Sequence, residues 1–413
     1  MLGSLEKRGK NSWRLIVSCG MGPDGKQEKK TKTVSVDTPC LEKSCRGCDK
    51  LTRCKARKEA DKLLAEFSLE VEKGLYIAPS KLTFKDFMER WIRDYGETNL
   101  APKTLFRYKE MLDSRILPAM GHIPIEKLKP MHLLEFYKNL QEDGVREDGK
   151  PGGLSERTIL HHHRLISAIL QDAVDWEVIP SNPASKVKPP KVKKTQAPCY
   201  DEEQTARMLA ALDTEPLKYK VMVVLALATG ARRGELMGLE WQDVDFENST
   251  IDIHQASQYL PGRGVFTKEP KTETSSRAIA IPPSVIALLK QYKAQQAEER
   301  LKVGDLWQES NRIFTTWDGR PMFPDTISNW FSKFLKRHGL PHIAFKNLRH
   351  TSGTLLIAEG VPLKNVSRRL GHSNISTTAD IYAHALRSVD QAAAAKLDSL
   401  FTKHTGLQKQ GQA

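Results

Sequence analysis

Short, separated segments in the second half of the chain hold side chains that together can cut a phosphodiester. Arg232 stands in Thr229-Gly-Ala-Arg-Arg-Gly-Glu-Leu236, and Lys271 precedes a strand-like run that ends at Pro282. Lys346 and Arg349 share Lys346-Asn-Leu-Arg-His-Thr351, His372 sits in Leu370-Gly-His-Ser373, and Tyr382 opens Tyr382-Ala-His384. Phosphodiester cleavage needs a nucleophile, donors for the charge that builds on the phosphoryl oxygens, and a proton for the leaving oxygen. Tyr382 can attack phosphorus and hold the strand as a phosphotyrosine. One phosphodiester is then exchanged for another of similar energy, so rejoining requires no ATP. Arg232 and Arg349 offer forked donors that fit non-bridging phosphate oxygens and stay charged at any working pH. Glu235 lies one helical turn beyond Arg232 and can orient it. Taken singly, each arginine is also explained by a surface ion pair and the tyrosine by an ordinary core or surface position. Only the joint pattern points to catalysis.

A second cluster is Cys40-x₄-Cys45-x₂-Cys48-x₅-Cys54. Four thiolates closing a short loop suit a tetrahedral structural zinc. The spacing also fits a four-cysteine iron–sulfur loop, the less favoured metal, and the metal-free alternative is reduced thiols in a flexible insert. The loop carries Lys43, Arg46, Lys50 and Arg53, so a metal would stiffen a basic finger. The run His161-His162-His163 lies in a helical pattern, where consecutive side chains diverge and cannot converge on one ion.

The elements that must position these groups follow from periodicity. Residues 12–19 and 30–36 read as strands, and 57–73 as a helix ended by Gly74. Residues 80–180 read as a helical bundle. It opens at a capping-box-like Thr83-x-x-Asp86, with further helices starting at Pro102 and spanning 131–140 and 155–177. Prolines and lysines over 181–199 predict an extended, exposed linker. Its Lys186, Lys188, Lys191, Lys193 and Lys194 are candidate contacts to a polyanion. Residues 200–401 read as mostly helical with short strands at 251–254 and 277–281; helices are expected over 201–212, 217–229, 324–338, 347–359, 362–370, 377–384 and 389–401. Residues 402–413 are expected to be a disordered tail.

Charge agrees with an acidic polymer as partner. The chain of 413 residues has a formal net charge of +14, of which residues 1–60 contribute +8 and residues 181–200 contribute +5. Concentrated basic charge favours polyanions through counterion release, although a solvated basic surface is the plainer explanation of charge alone. The longest strongly apolar run, residues 221–228, is far shorter than the roughly 20 residues a membrane span needs, and the start has no apolar signal core. A cytoplasmic location is expected.

The ordered set of motifs resembles the tyrosine recombinase (phage integrase) family, in the type found in phages and conjugative transposons. The match runs through T-G-x-R-x-x-E-L, K-T, x-x-x-R-H-T, L-G-H and Y-x-H with compatible spacing. The resemblance implies a multidomain, mainly α protein. Residues 1–77 would be an arm-site-binding domain of a three-stranded sheet plus a helix, with the cysteine loop inserted at 40–54. Residues 80–180 would bind the core site, and residues 200–401 would be the catalytic domain with a small β-sheet. It further implies that Lys271 protonates the leaving 5′ oxygen, that His372 bonds the scissile phosphate, and that no cofactor is needed for catalysis. The implied partners are double-stranded attachment sites, an excisionase and DNA-bending proteins. The terminal helix would dock on a neighbouring protomer to give a homotetramer on paired sites, in a bacterial, nucleoid-associated setting. At one position the chain departs from the pattern: Lys346 stands where the family usually has histidine. An ammonium donates to phosphate but cannot accept the proton of Tyr382. Three alternatives share the pattern: a type IB topoisomerase-like enzyme, a chromosome-dimer resolvase, and a non-catalytic regulator that keeps the fold. An arm domain argues against the first two and retention of the whole catalytic set against the third.

Overall fold

The computed structural model describes residues 3–21, 27–38, 55–72, 76, 82–193, 197–268 and 276–372, with single positions beyond. Contacts divide the chain into two compact units, Met1–Lys193 and Lys194–Ala413.

In the first unit, strands β1 (Gly3–Lys7), β2 (Ser12–Met21) and β3 (Gln27–Ser35) form an antiparallel sheet in that order. Alternation along β2 buries Trp13, Leu15 and Val17 on one face, as the two-residue period of a strand requires. Helix α1 (Lys55–Glu72) buries Ala56, Ala60, Phe67 and Val71, which join the two small cores that hold Trp13, Leu15 and Val17.

The rest of this unit is a helical bundle. Helix α2 (Phe84–Trp91) starts at Thr83, whose Oγ1 accepts from the Asp86 amide at 3.1 Å while the Asp86 carboxylate accepts from the Thr83 amide at 3.0 Å. It continues through a wider turn, Ile92–Gly96, into α3 (Glu97–Asn99). Helix α4 (Pro102–Met111) likewise continues through Leu112–Ile116 into α5 (Leu117–Met120), and α6 (Pro130–Asn139) and α7 (Glu156–Asp175) complete the set. Phe84, Phe87, Leu112, Leu133, Ile166 and Leu170 are fully buried in the core. The three histidines of α7 diverge: His161 is exposed, His162 Nδ1 pairs with the Thr158 carbonyl, and His163 Nδ1 pairs with the Tyr137 hydroxyl.

The extended, exposed linker expected over 181–199 does not hold at its start. Pro183–Lys186 is a 3₁₀ turn in which Asn182 accepts from the Ala184 amide and donates to the Ser167 carbonyl, each at 2.9 Å. Ala184 and Val187 bury in the bundle core. Proline forbids an interior helix but not the first position of a turn, and two apolar side chains decide the rest. Lys186, Lys188, Lys191 and Lys193 are exposed, and Lys194 lies outside the described residues.

The second unit begins with α8 (Glu202–Ala211), α9 (Leu217–Thr229) and α10 (Arg233–Gly238). Strands follow: β4 (Val244–Asp245), β5 (Thr250–Ile253), β6 (Ala256–Leu260), β7 (Gly264–Lys268) and β8 (Arg277–Ala280). They make a β4-β5-β8 sheet and a separate β6-β7 hairpin, both antiparallel. Then come α11 (Pro283–Val303), α12 (Pro324–Arg337), α13 (Leu348–Ala358) and α14 (Leu363–Leu370). Helix α9 runs through the middle of the core, with Val221, Met222, Val223, Leu225 and Ala226 buried. Helix α11 and the β6-β7 hairpin are absent from the periodicity reading. The helices expected over 377–384 and 389–401 lie outside the described residues except at single positions. Among the described residues no helix is long and apolar enough to cross a membrane.

Candidate active site

The site starts where α9 must end. Thr229, buried, donates its hydroxyl to the Leu225 carbonyl at 2.6 Å and accepts from the Ala231 amide at 3.2 Å. Gly230 takes φ 61°, a left-handed conformation open to glycine, and closes α9 by donating to the Ala226 carbonyl. A Cβ there would lie 2.3 Å from Leu370 Cδ2. Arg232 then stands at the N-cap of α10, two residues beyond Gly230.

Arg232 is then held from two sides. Its amide donates to Glu235 Oε2 at 2.9 Å and its Nη1 to Glu235 Oε1 at 2.7 Å, while Nη2 donates to the Gly371 carbonyl at 3.1 Å. Its side chain remains 47% exposed, so the guanidinium is anchored yet open to a ligand. Glu235 is buried and takes a second arginine: Arg277, at the start of β8, puts Nη2 2.9 Å from Oε2 and donates Nε to the Arg369 carbonyl at 2.8 Å. Burial pushes the Glu235 carboxyl up, but Arg277 and then Arg232 outweigh it and hold the group below the ordinary carboxylate value.

Two further groups reach the same turn. Arg349, buried on α13, donates Nη1 to the Gly230 carbonyl at 2.8 Å. Its helix is fixed by Asn347, which donates to the Pro198 carbonyl, and by Thr351, which accepts from the Tyr200 amide. Gly371 (φ 67°) ends α14 in the left-handed conformation, and a Cβ there would lie 2.9 Å from Arg277 Nη1. His372 follows, its amide on the Ser367 carbonyl and its Nδ1 2.7 Å from Thr378 Oγ1. A hydroxyl donating to Nδ1 leaves the ring proton on Nε2, free to donate to an anion. Burial first, then the positive charges of Arg349 and Arg232, bring the His372 pKa down to about 4. The imidazole is neutral at physiological pH.

Lys346, exposed on the 3₁₀ turn Phe345–Asn347, lines a cleft of about 530 Å³ with Arg232, Arg233, Ser328, Ser332 and His342. The described part of the expected set therefore converges: Arg232 binds the Gly371 carbonyl, Arg349 binds the Gly230 carbonyl, His372 follows Gly371, and Lys346 shares a cleft with Arg232. Lys271 and Tyr382 lie outside the described residues, as do Cys40, Cys45, Cys48 and Cys54. Among the described residues no cluster of His, Cys, Asp or Glu is arranged to hold a metal. Such a pocket of fixed positive charge and neutral donors suits an anion whose charge grows during reaction. Arg277 is marked by none of the motifs. Its signal was parity, because Arg277, Ile279 and Ile281 alternate on one face and both isoleucines are buried.

Residues 199–388 match the phage integrase family and residues 83–141 match its N-terminal SAM-like domain; together the two matches span more than half of the chain. The chain belongs to the phage integrase family. It is a tyrosine site-specific recombinase, and its relatives carry integrase and recombinase names. It is 29% identical over 413 aligned residues to a XerC-like tyrosine recombinase of Caldanaerobacter subterraneus subsp. tengcongensis, covering 96% of this chain and 98% of that one. It is 27% identical over 344 residues to the ICEBs1 integrase of Bacillus subtilis, covering 83% and 90%. Its fold is shared with the Tn1549 transposon integrase solved in complex with transposon right end DNA, at a TM-score of 0.63 and 23% identity over 76% of this chain and 99% of that one.

The neutral His372 gives the recombinase a pH signature. Its folded pKa lies below the ordinary value of 6.5, so between about 6.5 and 4 the unfolded chain binds a proton that the folded chain refuses. The stability contribution is fully present above pH 6.5 and is lost as pH falls toward 4. The drop in denaturant midpoint between pH 7 and pH 5 is expected to be smaller in His372→Gln than in the parent; an equal drop would show that His372 is not held neutral.

Proposed function

We propose that this chain cuts and rejoins double-stranded DNA at two attachment sites through a 3′-phosphotyrosine on Tyr382, so as to integrate and excise a mobile element. The observation that carries the reading is the meeting of Arg232, Arg349 and His372 at the Gly230 and Gly371 backbone, with Tyr382 ten residues beyond His372. The Tyr382 oxygen attacks phosphorus, the bond to the 5′ oxygen breaks, and Lys271 gives that oxygen a proton while the phenolic proton leaves to solvent. Arg232 and Arg349 donate to the two non-bridging oxygens and His372 Nε2 adds a neutral donor. Lys346 donates to the phosphate and is not the base. The reverse sequence, with a new 5′ hydroxyl, seals the recombinant strand.

Residues 1–77 would grip arm sites and residues 80–180 core sites, with Lys186, Lys188, Lys191, Lys193 and Lys194 tracking the phosphate backbone between them. The reaction would run in the cytoplasm with an excisionase and DNA-bending proteins setting its direction. A structural zinc at Cys40, Cys45, Cys48 and Cys54 would stiffen the basic loop between them without entering the chemistry. Purified protein should then hold one equivalent of zinc that Cys45→Ser releases; an iron–sulfur absorption band, or no metal at all, would contradict this. The helical pattern at 389–401 would dock on a neighbouring protomer, giving a monomer in free solution and a tetramer on paired sites. Truncation after His384 should leave single-site binding intact and remove strand exchange, and normal recombination by the truncated chain would exclude docking in trans.

The nucleophile and its donors are tested together on a nicked suicide substrate in chelator. The parent should become trapped on DNA through a 3′ link and Tyr382→Phe should not. Arg232→Ala and Arg349→Ala should slow trapping by roughly 10²–10³ with a much smaller loss of core-site binding. Trapping by Tyr382→Phe, or parallel loss of binding and cleavage in the arginine variants, would overturn the assignment.

A further inference from the structure

Arg312 is a buried arginine that the proposed chemistry leaves unused. Its side chain is 7% exposed and lies between the turn after α10 and the β6-β7 hairpin. Nη1 donates to the Gly238 carbonyl, the last residue of α10, and lies 3.6 Å from Glu240 Oε1; Nη2 donates to Thr267 Oγ1 on β7. Its backbone is locked as well, because the Trp241 amide bonds the Asn311 carbonyl and the Ile313 amide bonds the Leu239 carbonyl. The hairpin sits hard against α10 at this point: a Cβ on Gly238 would lie 3.0 Å from the Ser257 amide nitrogen, and Ser257 pairs with Thr267 across the hairpin. A buried guanidinium is costly to desolvate and strongly directional once bonded, so it fixes β7 against α10 more sharply than apolar packing would.

The place of that bond in the chain gives it meaning. Thr267 precedes Lys271 by four residues, and Arg277, which bonds Glu235, follows Lys271 by six. Both ends of the segment bearing Lys271 are therefore tied by arginines to α10, whose N-cap is Arg232. We propose that Arg312 is a positioning residue for Lys271: through the Gly238 carbonyl and Thr267 it fixes β7, the strand that leads on to Lys271, against the helix that presents Arg232. This rests on the reading of Lys271 as the proton donor to the leaving 5′ oxygen.

The test is single-turnover cleavage of nicked core-site DNA by the full chain, with the scissile 5′ bridging atom either oxygen or sulfur. A thiolate, with a pKa near 8.5, leaves without the proton that an alkoxide needs. Lys271→Ala should be slowed about 10²-fold or more on oxygen and restored to near the parent rate on sulfur. Arg312→Ala and Thr267→Val should show the same split, with at least a roughly tenfold loss on oxygen. Thr267→Val removes only the acceptor at an exposed position, so it decides the matter if Arg312→Ala fails to fold. Equal slowing on both substrates, or no slowing of Thr267→Val on oxygen, would overturn the positioning role. Failure of sulfur to rescue Lys271→Ala would instead remove the proton-donor reading on which it rests.

Discussion

One buried carboxylate organises the catalytic unit. Glu235 accepts from Arg232 and from Arg277, and those arginines reach the carbonyls of Gly371 and Arg369. Through them α10, β8 and α14 are joined at a single point. Taking a carboxylate out of water costs several kcal/mol, and only close, hydrogen-bonded counter-charges offset it. The two guanidiniums do so, and in return the charged carboxylate fixes the direction of both. The left-handed glycines at 230 and 371 are the backbone side of the same constraint. A Cβ at 230 would meet Leu370, and one at 371 would meet the Arg277 guanidinium.

The acceptors around this point explain why the site stays positive. Several of the arginines donate to backbone carbonyls: Arg349 to Gly230, Arg232 to Gly371, and Arg369 to Ala228 and Ala280. Carbonyls orient a guanidinium without cancelling its charge and do not titrate. The surplus is left for a substrate phosphate, which completes the neutralisation that the protein leaves undone. Burial first, and then the same surplus, hold His372 neutral, so the imidazole enters as a hydrogen-bond donor rather than as another cation.

Much of this was legible in the sequence. Thr83-x-x-Asp86 is a capping box in the structure, a helix covers most of 201–212, and Glu235 orients Arg232 as their three-residue spacing implies. What escaped were features whose partners are remote. Helix α11 buries Val285, Ile286, Leu289 and Tyr292 in its first half and Gln296 afterward, so no continuous apolar stripe marks it. Prolines over 181–199 signal an extended linker, but Ala184 and Val187 are apolar enough for the bundle core to capture them. Arg277 and Arg312 carry no local signal because their acceptors lie 42 and 74 positions away. Local pattern registers what a residue does with its own turn; it is silent about a bond whose closure depends on the whole fold.

The claim that the buried carboxylate sets the catalytic geometry is tested most directly by Glu235→Gln, which keeps the shape but removes the charge and one of the two acceptor oxygens. The measurement is the single-turnover rate of strand cleavage beside the equilibrium affinity for core-site DNA, made under conditions where the variant is folded. The account predicts cleavage slowed by roughly 10²-fold, the scale of a misplaced catalytic group, with affinity nearly unchanged. Cleavage at the parent rate, or a matching fall in rate and affinity, would contradict it.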